Sequence, residues 1–413
     1  MRNRRTMRWA AVTAAVTSVV IAAAAQSAPT AHAATGAPTL ASRNASDPWV
    51  MPCVSSTFTG ICLYASSDLN EGGQDTYPMS ATYAYTLDSS SGLNPGDPAN
   101  WVDRGAVLTE GAYPWVPNNA KHLWAPGSAY GGDGDMFLYV PDVGSDGVTS
   151  HIGVSRSASP WGPFTYLKQI TYNNDDIDGY YMSDPSVFQS MGDHPGIGLA
   201  GAEPTRLNGP ARWLIWANGD YANGGSNCGG ISIGLLDDAS MSTLITDPNP
   251  ATSEVQINGV NTLGTCTGKT RPYLEGAEMY FTNVWGFTMG ATTQNPNGRP
   301  YLLVFAAKPS NRNSVIAYAT AEHPRGPFTY EGVLMEASTT SWTNQASIFA
   351  DGRGPGGSLR LILFFHDDAD SSASHNRKVY ATCLTFDRSD GKFVQATRPA
   401  STPNLNSCSG IRD

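Results

Sequence analysis

The apolar positions of this chain fall in short runs. Ile61–Ala65, Met136–Val140, Ile152–Val154, Trp213–Ala217, Ile231–Leu235, Tyr301–Ala306, Val315–Ala319, Leu359–Phe365 and Val379–Phe386 are each rich in β-branched, aromatic and aliphatic residues. Clusters of Gly, Asn, Asp or Pro bound them, which is the pattern of strands separated by turns. Beyond the first residues, no sustained stretch places apolar side chains three and four apart, as an amphipathic helix requires. Without a helix between successive strands, α/β barrels and doubly wound sheets are excluded. The pattern predicts an all-β protein.

One unit recurs. Ser159-Pro160-Trp161-Gly162-Pro163-Phe164-Thr165-Tyr166 returns as His323-Pro324-Arg325-Gly326-Pro327-Phe328-Thr329-Tyr330, each time after a strand-like run. Recurrence of a strand–turn–aromatic unit points to a repeat architecture of small sheets. A β-sandwich remains an alternative on this pattern alone, but radial repetition better explains how distant acidic residues could meet in one channel. No linker splits the chain, so residues 46–413 are expected to form a single domain behind a flexible lead-in, 34–45.

The first residues are of another kind. Arg2, Arg4, Arg5 and Arg8 precede an Ala/Val-rich run, and Ala31-His32-Ala33 offers small residues for cleavage. This reads as a secretory signal peptide over residues 1–33, hence a secreted, extracellular protein rather than a membrane-anchored one. Its removal takes away those four arginines and no acid, moving the formal charge from −10 to −14. So acidic a surface argues against nucleic acid as a partner and suits a neutral substrate. About 380 residues remain, ample for a core, and a monomer is expected. Six cysteines in a secreted chain suggest disulfides, with neighbours in sequence paired: Cys53–Cys62, Cys228–Cys266 and Cys383–Cys408.

Candidate chemistry lies in three carboxylates. Asp97-Pro98 and Asp247-Pro248 sit among turn residues and cap turns. Asp47-Pro48 and Asp184-Pro185 instead lead into Trp-Val and Ser-Val-Phe. Proline pushes the residue before it toward extended backbone, which would fix each carboxylate where a loop runs into a strand; the plainer alternative for either is a turn cap. Glu275 stands in nearly uncharged surroundings, followed by Gly276, and such a carboxyl should have a raised pKa suited to a general acid. Its alternative is a structural glutamate, and Glu278 is the competing residue. Sugars stack on flat rings, which makes Trp124, Trp49 and Trp285 candidate platforms, though each could equally be core. The histidines show no metal-ligand spacing, and no Gly-x-Ser-x-Gly elbow is present.

On these residues the chain resembles glycoside hydrolase family 43. Ser46-Asp47-Pro48-Trp49-Val50 is similar to its first-blade motif, Leu123-Trp124-Ala125-Pro126 to the second-blade signature, and Ser157–Phe164 to a family turn. Asp184-Pro185-Ser186-Val187-Phe188 and Leu274-Glu275-Gly276-Ala277 resemble the motifs of the remaining two carboxylates. Asn344–Ile348, Phe364-Phe365-His366-Asp367 and His375-Asn376-Arg377 resemble last-blade patterns. The resemblance implies a five-bladed β-propeller with Asp47 as general base, Glu275 as general acid and Asp184 tuning that acid. Trp124, Trp49, His366 and Arg377 would bind a carbohydrate substrate. It implies an inverting hydrolase of α-L-arabinofuranosides, with β-D-xylosides, then galactan or galactofuranosides, as alternatives. A glycan-binding propeller without catalysis is the alternative of another class. Two positions depart from the family pattern. Gln345 stands where a histidine often helps hold a channel calcium, so no metal or other cofactor is expected, and Ala277 replaces a usual proline.

Overall fold

The computed structural model of the chain describes residues 38–40, 43–55, 58–68, 79–88, 92–116, 122–143, 150–173, 175–177, 181–189, 211–219, 228–266, 271–290, 298–309, 313–339, 341, 343–368 and 377–413. The signal peptide expected over 1–33 lies outside them.

The strands form five antiparallel-centred sheets, taken in chain order, as a five-bladed β-propeller. The first blade consists of Ala45–Ser55, Phe58–Ser67, Ala81–Asp88 and Val102–Thr109. The second consists of Gly127–Tyr130, Met136–Val143, Ser150–Ser157 and Thr165–Gln169. Ser183–Gln189, Arg212–Asn218 and Gly230–Leu236 make the body of the third, and Thr171–Tyr172 pairs at its outer edge through Thr243–Leu244. The fourth runs Tyr273–Phe281, Tyr301–Lys308, Val315–Ala321 and Phe328–Met335. The fifth runs Ala346–Asp351, Arg360–Asp367, Lys378–Asp387 and Lys392–Val394.

Position within a blade explains the pattern along each strand. Arg212–Asn218, Val315–Ala321 and Arg360–Asp367 are buried along their whole length. Both faces of such a middle strand meet a neighbouring blade, so its apolar run is continuous rather than alternating. Outer strands such as Thr165–Gln169 keep exposed residues at alternate positions, as one wet face requires. The apolar residues gather into five clusters, each between two successive blades. The recurring turn also finds its place: it joins the third strand to the fourth in the second and fourth blades. Gly162 and Gly326 adopt φ of 75° and 76° there, each followed by a cis proline.

Each blade's main strands come from contiguous chain, so the ring closes by contact between the first and last blades. An apolar cluster there joins Leu40, Val50 and Ile61 to Phe349, Phe364 and Val379. Backbone bonds from Thr39 to Val379 (2.8 Å) and Ala45 to Arg377 (3.0 Å) run alongside. The described part of the 34–45 lead-in is therefore docked on the last blade rather than loose. Among the described residues no helix is long and apolar enough to cross a membrane.

Two of the three expected disulfides are present. Cys53–Cys62 joins the first two strands, and Cys383–Cys408 ties the trailing segment to the last blade. The third corrects the expectation. Cys228 and Cys266 are hydrogen-bonding neighbours but are not joined.

Candidate active site

The three carboxylates occupy one station in three inner strands. The innermost strands of the first, third and fourth blades each break register near their start: between Ser46 and Trp49, Ser183 and Ser186, and Glu275 and Glu278. At each break one residue is left-handed: Asp47 (φ 53°), Asp184 (φ 48°) and Gly276 (φ 55°). The extended backbone that proline favours is overridden. A β-bulge sets two residues against one and re-aims a side chain, and Asp tolerates the left-handed region better than most residues, at roughly 1–2 kcal/mol. In the fourth blade glycine takes the bulge and the acid sits one residue earlier. A Cβ on Gly276 would also come within 2.8 Å of the buried Gln345 side chain, so glycine is needed there twice over.

Serine clamps both aspartates. Ser46 Oγ donates to Asp47 Oδ2 and Ser183 Oγ to Asp184 Oδ1, each at 2.9 Å. The shared Ser-Asp-Pro triplet was the sequence signal for this.

Asp47 is buried among groups from the last blade. His366 Nδ1 lies 3.0 Å from its backbone nitrogen and 3.2 Å from Oδ1, and Arg377 Nη1 lies 3.8 Å from Oδ1. Arg377 is held by Asp68, which accepts from its Nε (3.0 Å) and Nη2 (3.1 Å), while Nη1 donates to Thr343 Oγ1 (2.8 Å). Burial alone would raise the Asp47 pKa; Arg377, His366 and Ser46 outweigh it and hold the carboxyl down at about 2. Asp47 is thus ionised throughout the physiological range.

Glu275 is in the opposite state. Burial, the neighbouring Asp184 and the more distant Asp47 push it up to about 8, against a Tyr273 hydrogen bond and Lys308. Asp184 is itself pushed up to about 6, by burial and Asp47, although Ser183 and the Gly276 N–H (3.2 Å to Oδ2) support its charged form. That last bond ties the third-blade aspartate directly to the strand bearing the acid.

The other expected residues are placed as follows. His366 and Arg377 are buried and reach the site through Asp47. Trp124 is half-buried, edge-on to His122 at 5.3 Å, just before the second blade's inner strand. Trp49 is only 9 % exposed and belongs to the cluster between the first two blades. Trp285 follows the far end of the acid's strand, against Tyr280. Glu278 is buried, taking hydrogen bonds from Tyr280 and from Ser347 Oγ (2.8 Å), as a structural carboxyl would. Asp97 and Asp247 cap turns, accepting from Ala99 and Asn249. Asp68 and Thr343 were not singled out from sequence.

No protein-family model matches the chain. A curated protein of Humicola insolens, "Xylosidase/arabinosidase 43A", is 28 % identical over 343 residues, spanning 81 % of this chain and 92 % of that protein. A solved family 43 enzyme from Xanthomonas citri, complexed with xylotriose, matches 88 % of this chain and 93 % of its own at TM-score 0.59 and 24 % identity. A β-xylosidase/α-arabinofuranosidase from a compost metagenome matches 90 % and 99 % at TM-score 0.60 and 21 % identity. The chain is similar to these family 43 glycoside hydrolases in sequence and in fold. The five-bladed propeller is the fold that these solved structures share with it.

Proposed function

We propose that this protein is a secreted, inverting family 43 glycosidase that removes α-L-arabinofuranosyl residues from plant cell-wall polysaccharide or oligosaccharide. One observation carries it: at one station of the ring, Asp47 is held ionised while Glu275 is held protonated. Carboxyls whose surroundings push their pKa values apart are the mark of an assigned base and acid. A propeller that only bound glycans would have no use for the difference.

The chemistry follows from those states. Asp47 takes a proton from a water, which attacks the anomeric carbon as Glu275 protonates the leaving oxygen. The aspartate at 184 keeps Glu275 from ionising early and orients it through Gly276. A water between the two requires a carboxyl separation of roughly 6.5–9.5 Å, and the anomeric carbon inverts. A β-D-xyloside is the second reading, favoured because the curated relatives carry both activities in their names. The signal-peptide pattern and the two disulfides support secretion.

On this reading no channel calcium takes part. Gln345 packs its side chain against Gly276, and among the described residues no three His, Cys, Asp or Glu side chains are grouped to hold a metal.

The test is hydrolysis of nitrophenyl α-L-arabinofuranoside, β-D-xylopyranoside and β-D-galactofuranoside, with and without EDTA, followed by proton NMR of the first-formed sugar. The arabinofuranoside should be cleaved fastest, with inversion and no EDTA effect. A retained anomer would make Asp47 a nucleophile. No turnover by folded protein would return the glycan-binding reading.

A further inference from the structure

Glu275 has a second set of neighbours that the mechanism above does not use. In the fourth blade Tyr273 pairs directly with Lys308, and Glu275 pairs with Ala306. Side chains two apart on a strand share a face, and directly opposed residues do too. Tyr273, Lys308 and Glu275 therefore stand on one face at the site end of the strand. The start of that strand is pinned to the preceding blade, since Leu274 N–H donates to Gly229 O at 3.0 Å. The fit at position 229 is tight: a Cβ there would stand 3.0 Å from Tyr273 Cε2 and 3.1 Å from the Asn218 carbonyl oxygen. The tyrosine ring is thus wedged against backbone with its hydroxyl on the Glu275 carboxyl.

We propose that Tyr273 and Lys308 are positioning residues for the general acid: the phenol donates to the Glu275 carboxylate left after proton transfer, and the half-buried ammonium balances its charge. This rests on the reading of Glu275 as the acid. Asp184 and Asp47 face Glu275 as anions that resist its ionisation, and Tyr273 and Lys308 oppose them. Lys308 is faced in turn by Glu275 and by Cys266. The carboxylate, once formed, keeps its place until it regains a proton from water after the sugar leaves.

The experiment compares wild type with Tyr273→Phe, Lys308→Met and Lys308→Arg in two readouts. One is the alkaline limb of the kcat/KM pH profile. The other is the ¹³C NMR titration of the Glu275 carboxyl, assigned with Glu275→Gln. Removing either donor should move both upward by about 0.5–1 pH unit, and Lys308→Arg should restore the wild-type values. Unmoved limbs and unmoved titrations in both Tyr273→Phe and Lys308→Met would overturn the proposal. If Tyr273→Phe fails to fold, the lysine pair of variants decides alone. If no glycoside is turned over, the function fails, but the carbon titration still judges Tyr273 and Lys308.

Discussion

Asp47 and Glu275 sit at the same station of two inner strands, the first buried and the second half-buried, yet one is held charged and the other neutral. The difference comes from what the rest of the ring delivers. The first and last blades meet at Asp47, and their contact brings Arg377, His366, Thr343 and Asp68 into one polar network. The third and fourth blades meet at Glu275 across an apolar cluster that includes Leu274, Ala277 and Met279, where the like charge of Asp184 outweighs the opposing Lys308. Burial raises both carboxyls. The charge wins at Asp47, where Arg377 and His366 outweigh burial, and not at Glu275, where Lys308 is outweighed by burial and Asp184. The same bulge serves both, so backbone geometry places these groups while the neighbouring blade chooses their protonation.

The severest test removes the two groups themselves. Asp47→Asn and Glu275→Gln should each cost about 10²–10⁴-fold or more in kcat, with circular dichroism unchanged. Equal mild losses would show that the contrast has no catalytic meaning. Next, Arg377→Met should turn the Asp47 surroundings toward those of Glu275. The Asp47 pKa would rise, carrying the acid limb of the pH profile upward. Leaving Asp68 buried with only the residue-377 backbone N–H and no cation should cost roughly 3–5 kcal/mol in chemical denaturation. The sign for Asp47 is that of a depressed carboxyl: its stabilisation is present above the unfolded value of about 3.9 and is lost as pH falls through about 2. The smallest effect is expected from Asp184→Asn. Without that negative neighbour Glu275 ionises more easily, so the alkaline limb should move to lower pH by about one unit. An unmoved limb would take Asp184 out of its tuning role.

Much of this was legible in the sequence because it is local. The apolar runs became strands, since middle strands are buried on both faces and need no alternation. Asp47, Asp184 and Glu275 announced themselves because each is tied to a backbone device written within a few residues, Asp-Pro or Glu-Gly. The bulge itself was hidden: the rule for residues before proline predicts extended backbone, and the left-handed turn appears only once the strand has a partner to break register with. Asp68 left no trace for a different reason. It meets Arg377 from 309 positions away, and nothing around Ser66-Ser67-Asp68 hints at that meeting. Trp49, a candidate sugar platform by residue type, packs 9 % exposed in the cluster between the first two blades, a placement that its neighbours in sequence did not show.

The bond between Asp47 and the last blade gives the protein a built-in order of events. The aspartate is made early in the chain, but the arginine and histidine that keep it charged are made more than 300 residues later. Until those arrive, Asp47 lacks the cation and the imidazole that lower its pKa in the closed ring. If the proposed function holds, the onset of glycosidic activity during synthesis or refolding marks the moment at which the circle shuts.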